Sequence, residues 1–125
     1  QHLRCDDFID DMAVAYAWAD VVISRAGALT ISELAHTGTA SILIPLPHAI
    51  DDHQTFNARV LAECGAAVLM PQRAVTPDGL ADLLEEWIST PSTLANMSMA
   101  ASAAAQADAT TRVVSVLTEV LHAAA

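Results

Sequence analysis

Lysine is absent from this chain, and its five basic residues are all arginines set against fifteen acids. A formal net charge of −10 excludes a nucleic-acid partner, which needs a basic face. Aromatics make up only 4% of the sequence, so its 54% apolar content is carried by Val, Ile, Leu and a great deal of Ala. The core is therefore expected to be built on thin helices. Only two cysteines occur, Cys5 and Cys64, far apart and without ligand or redox spacing, as suits a reducing compartment. No apolar run approaches the roughly 18 residues that would cross a bilayer, and no signal peptide is visible, so the expected placement is cytoplasmic. With 125 residues the chain is one modest domain, able to bury roughly two-thirds of its unfolded surface.

What is present is an alternation of strand and helix patterns. Leu3 to Phe8 reads as an exposed or edge strand. Because no turn or cap precedes it, Gln1 to Asp7 suggests a piece cut from something longer. A short helix is expected from Asp10 to Ala19, with Asp10 and Asp11 in its first turn and Met12, Tyr16 and Ala19 on its apolar side. Val21 to Ser24 is a continuous apolar strand of the kind covered on both faces. A helix from Ala28 to about Thr37 is stopped by Gly38. Ser41 to Ile44 is the next strand, followed by a polar loop and a helix from Asp52, a good N-cap, to Cys64. Ala66 to Met70 is a short strand. Helices are expected at Pro77 to Ile88, Pro91 to about Ala105, and Asp108 to His122. This order predicts an α/β fold: a Rossmann-like open parallel sheet flanked by helices, with ligands at the carboxyl ends of its strands.

Two loops leave that carboxyl edge. The first, Ser24 to Glu33, turns a strand sharply into a helix. Gly27 allows a close backbone approach, and Ala28, Leu29 and Thr30 open the helix with unpaired N–H groups, an arrangement that holds phosphates. With no lysine, a phosphate there would depend on amides and the helix dipole, with Arg25 the one cation nearby. Glu33 lies on the same face one turn deeper, where a carboxylate can accept from sugar hydroxyls. Neither the dinucleotide fingerprint nor a P-loop is present. A plain βα turn with a solvated glutamate explains the same residues equally well. The second loop gathers Asp52, His53, Gln54 and Asn57 at a helix entry. Gln54 and Asn57 share a face and suit hexose hydroxyls, or simply decorate a capped first turn. His48 and His53 beside Asp51 and Asp52 have the reading of solvated loop residues. No Asp-x-Asp occurs, no metal or cofactor is called for, and Ser24 lacks a basic partner for nucleophilic catalysis.

The segments Phe8-Ile9-Asp10-Asp11-Met12, Ala19 through Glu33, and Asp52-His53-Gln54-Thr55-Phe56-Asn57-Ala58 occur in fixed order. Together they resemble the MurG family of UDP-N-acetylglucosamine transferases, over nearly the whole chain. The resemblance implies the later part of the carboxyl-terminal, donor-binding domain of an inverting GT-B glycosyltransferase. On that basis residues 1–125 would be a UDP-sugar domain truncated at its amino-terminal side, with the acceptor domain, its catalytic base and the Gly-Gly-Ser loop all absent. The family's chemistry moves N-acetylglucosamine from UDP-N-acetylglucosamine to lipid I, giving lipid II for peptidoglycan. The resemblance further implies that Ile9 pairs with uracil through its backbone and Glu33 holds the ribose. Ala28, Leu29 and Thr30 would meet the diphosphate, and His53, Gln54 and Asn57 would read the sugar. Arg25 matches an Arg-x-Gly-Ala element, touching ligand or bracing the loop. The segment from Pro47 to Asp52 departs from the pattern, being a residue longer and without basic residues. Membrane contact would be peripheral, on the cytoplasmic face, through the missing half. Other outcomes are a standalone binding subunit that needs a membrane-anchored partner, or another GT-B transferase or UDP-sugar epimerase.

Overall fold

The computed structural model describes residues 2–124 and, within them, all side chains except those of 108–112. Three parallel strands, β1 (Val22–Ser24), β2 (Ser41–Leu43) and β3 (Ala67–Leu69), lie in the order β1-β2-β3. Ser41 sits opposite both Val22 and Ala67, so the strand ends are level and their following loops share one edge. The helices are α1 (Met12–Trp18), α2 (Ala28–Thr37), α3 (His53–Glu63), α4 (Pro77–Ser89) and α5 (Pro91–Ala123).

The core has two layers, one on each sheet face. On one, Ile31, Leu34 and Ala35 of α2 and Ala58 and Leu61 of α3 pack on Leu43 and Ala67, with Tyr16 of α1 and Ala101 of α5 closing the side. On the other, Ile42 of β2 meets Trp87 of α4 and Met97 of α5. The alternation of Ile42 and Leu43 between layers is the period-two placement of a strand covered on both sides. Only β2 meets that description fully. The apolar run at Val21 to Ser24 was expected to be covered in the same way, yet Ile23 is 44% exposed. On that face α4 and the start of α5 lie over β2 and β3 and leave β1 at the rim.

Helix α2 occupies the expected span. Its end follows from Gly38, which adopts the left-handed conformation (φ 63°, ψ 41°) and returns its N–H to Ala35 and Leu34 carbonyls. Four expectations are corrected. Leu3 to Phe8 forms no strand: the segment is exposed, with Leu3 at 97% and Phe8 at 78%, and its local contact is an Arg4–Asp6 ion pair at 2.7 Å. Consecutive aspartates disfavour a strand that has no ladder to join. Gln1, also assigned to that strand tail, lies outside the described residues. Asp10 and Asp11 precede α1 rather than forming its first turn. Asp11 acts there as a hydrogen-bonding cap, accepting from the Val14 N–H at 3.0 Å. Asp52 is the residue before α3 but does not cap it. Its backbone is left-handed (φ 54°) and its carboxylate takes the Thr55 hydroxyl at 2.6 Å instead. Finally, the two helices expected after Pro91 are one of 33 residues, about 50 Å long, because no glycine or proline interrupts the sequence between them. Trp87 is buried, whereas Trp18 stands on the rim. Among the described residues no helix is long and apolar enough to cross a membrane, and no group of three His, Cys, Asp or Glu is placed to hold a metal.

Candidate functional site

The carboxyl edge of the sheet carries two helix starts side by side, α2 after β1 and α3 after β2. Neither has a side-chain cap, unlike α1, capped by Asp11, and α4, capped by Thr76. The first turn of an uncapped helix presents unpaired N–H groups and the positive end of the dipole. At α2 the opening residues are uncovered: Ala28 is exposed and Leu29 is 73% exposed, with Thr30 half-buried behind them. Gly27 precedes them in extended conformation (φ −62°, ψ 148°).

Polar side chains fix this opening to the neighbouring loops. Gln54, in the first turn of α3, accepts from the buried Ala26 N–H at 3.2 Å and from the Leu46 N–H at 2.9 Å through the same Oε1. Asn57, one turn on, donates from Nδ2 to the Ala26 carbonyl at 3.0 Å. Both ends of one residue, Ala26, are thus held by α3. This leaves the Gln54 amide N–H groups and the Asn57 Oδ1 for other partners. Arg25 donates to the Ile44 and Pro45 carbonyls, both at 3.3 Å, and to Gln72 Oε1 at 2.7 Å. It braces the loops after all three strands, beside a depression of about 470 Å³ lined by Ile23, Ser24, Ile44, Gln72 and Val75. Gln54→Ala strands the amide of fully buried Ala26, so it is expected to lower stability by about 1–3 kcal/mol. A urea melt reads this as a lower midpoint at unchanged slope, and an unmoved midpoint would mean that the amide finds another partner.

Between the two helix starts the chain is strained. His48 (φ 61°), Asp51 (φ 54°) and Asp52 (φ 54°) all occupy the left-handed region without being glycine. This is the segment where the sequence runs a residue longer than the resemblance expects. His53 is exposed, with its Nε2 3.9 Å from Asp51 Oδ2.

Glu33 sits half-buried on α2, and its Oε2 accepts from the Tyr16 hydroxyl at 3.1 Å. Phe8 and Ile9 precede the Asp11 cap of α1, which packs on α2; Ile9 is 44% exposed. The structure therefore brings Arg25, Ala28, Leu29, Thr30, His53, Gln54 and Asn57 to one edge. Glu33 follows one turn below, whereas Ile9 lies outside this cluster, in the exposed segment ahead of α1. Sequence reasoning missed Tyr16 and Gln72. Tyr16 is the one tyrosine in the chain, and a buried tyrosine needs a partner for its hydroxyl, the one signal that would have found it. Another cavity, of about 500 Å³, lies at the opposite edge of the sheet among Tyr16, Asp20, Thr39, Trp87 and Leu94, and none of the residues singled out in the sequence for the site lines it.

A parallel sheet covered on both faces, with its loops tied together at the carboxyl edge, makes this a Rossmann-like α/β domain. Residues 2–113 match the glycosyltransferase family 28 C-terminal domain, and the chain belongs to that family. Its relatives include the UDP-N-acetylglucosamine–N-acetylmuramyl-(pentapeptide) pyrophosphoryl-undecaprenol N-acetylglucosamine transferases of Shewanella amazonensis and Tolumonas auensis. The first is 56% identical over 117 residues, 94% of this chain and 32% of the relative. The second is 54% identical over 109 residues, 87% of this chain and 31% of the relative. The crystal structure of Acinetobacter baumannii MurG superposes with a TM-score of 0.75 at 45% identity, covering 90% of this chain and 33% of that one. The chain thus spans about a third of the length of the relatives it matches.

Proposed function

We propose that this chain is the donor-binding part of an inverting GT-B glycosyltransferase, which transfers N-acetylglucosamine from UDP-N-acetylglucosamine to lipid I to form lipid II. The observation that carries this reading is the uncovered, uncapped start of α2 with Glu33 one turn below it. In this reading the diphosphate sits on the amides of Ala28, Leu29 and Thr30, where the helix dipole also stabilises UDP as it departs. Glu33 accepts from the ribose hydroxyls, and the backbone of Ile9 meets the uracil edge. The sugar hydroxyls face His53, the free amide protons of Gln54 and Asn57 Oδ1. Arg25 acts through the loops it braces. Support comes from the transferase activity for which relatives more than half identical over most of the chain are named.

In this reading none of the described residues acts as the base for the acceptor hydroxyl. That group and the lipid site belong to an acceptor half, which also makes any peripheral contact with the cytoplasmic face of the membrane. A domain of charge −10 is repelled by anionic lipid.

The test is calorimetric titration of UDP into the intact protein. Glu33→Gln keeps an acceptor for Tyr16 but removes the charge, so UDP affinity is expected to fall roughly tenfold. Equal affinity in wild type and variant would refute the ribose assignment.

A further inference from the structure

We propose that Tyr16 is a positioning residue for nucleoside recognition: its hydroxyl holds the Glu33 carboxylate in place. This rests on the donor-site reading above. Tyr16 is 6% exposed, packs in the apolar cluster between α2 and the sheet, and its hydroxyl donates to Glu33 Oε2 at 3.1 Å. For folding alone any acceptor would serve. The one used here is the acid placed to meet the pentose.

The ends of the two helices also meet nearby: the Thr37 hydroxyl donates to the Glu33 carbonyl at 2.8 Å and accepts from the Thr39 hydroxyl at 2.8 Å, whose oxygen lies 3.4 Å from the Tyr16 carbonyl. Burial, then the hydrogen bond and charge of Glu33, push the Tyr16 hydroxyl above its ordinary value of 10.0, so it stays a donor throughout the neutral range. A glutamate already held by one oxygen presents the other without losing further side-chain freedom on binding.

The experiment is a double-mutant cycle on the intact protein, read as the dissociation constant of UDP for wild type, Tyr16→Phe, Glu33→Ala and the double variant. Tyr16→Phe is expected to weaken UDP about three- to tenfold alone and not at all in the Glu33→Ala background. In turnover it raises the donor KM and leaves kcat unchanged. A dideoxy UDP lacking both ribose hydroxyls is expected to bind wild type and Tyr16→Phe equally, which tests the proposal even if Glu33→Ala does not fold. Unchanged UDP affinity in Tyr16→Phe, or an equal loss with and without Glu33, would overturn the positioning role while leaving the donor site standing. Failure of the wild-type protein to bind UDP would remove both.

Discussion

Gly27→Ala is expected to fold as stably as the wild type, to within about 1 kcal/mol, and to bind UDP roughly 10- to 100-fold more weakly. The fold makes no demand for glycine at this position. Its backbone (φ −62°, ψ 148°) is open to any residue, and an added Cβ would meet only Thr30 Oγ1, at an ordinary 3.8 Å. Alanine is a poorer N-cap than glycine, but it restricts the unfolded chain, and these two small effects oppose each other. The nearest atom to the new methyl belongs to the first turn of α2, so the methyl stands over the helix start. An anion seated on the Ala28–Thr30 amides would have to retreat from it, and one charge-assisted hydrogen bond lost is worth about 1.5–3 kcal/mol, which is that fold-change. Thermal melts beside calorimetric titration of UDP make the check. Unaltered affinity would show that the ligand does not approach the backbone there.

The same residues show what was legible beforehand. Helix α2 was readable to the residue because its end is local: Gly38 supplies the left-handed turn whatever surrounds it. The single long α5 was misread because alanine-rich composition was divided where no breaker stands. Leu3 to Phe8 looked like a strand on short-range pattern, and only a partner could have made it one. That the loops leading to Ala28 and to His53 share one edge was legible from element order, since parallel strands send every following loop to the same side. The wiring within it was not. That Gln54 and Asn57 grip Ala26, that Arg25 reaches Gln72, and that Tyr16 meets Glu33 are contacts between residues 17 to 47 positions apart, set by packing rather than spacing.

Packing also decides how firmly the proposed anion site is held. Leu34→Ala is expected to cost about 2–5 kcal/mol, against about 1–3 for loss of the Gln54 clamp. Leu34 is fully buried between α2 and the sheet, in the cluster with Ile31, Leu43, Leu61 and Tyr16, and its carbonyl receives the Thr39 N–H at 3.0 Å as the chain leaves the helix. Truncation removes apolar contact and leaves a void that stiff neighbours on a short strand fill poorly. A domain of this size holds only about 5–15 kcal/mol in total, so the midpoint of a denaturant or thermal melt should drop steeply. Ligand affinity should change much less at temperatures where the variant is folded, because Leu34 faces the sheet while Glu33 keeps its bond to Tyr16 and the start of α2 stays tied through Ala26 to Gln54 and Asn57. A variant with near-wild-type stability would mean that α2 is not seated by Leu34. A folded variant that lost UDP binding outright would mean that the helix start depends on core packing more than on the polar ties from Gln54, Asn57 and Arg25.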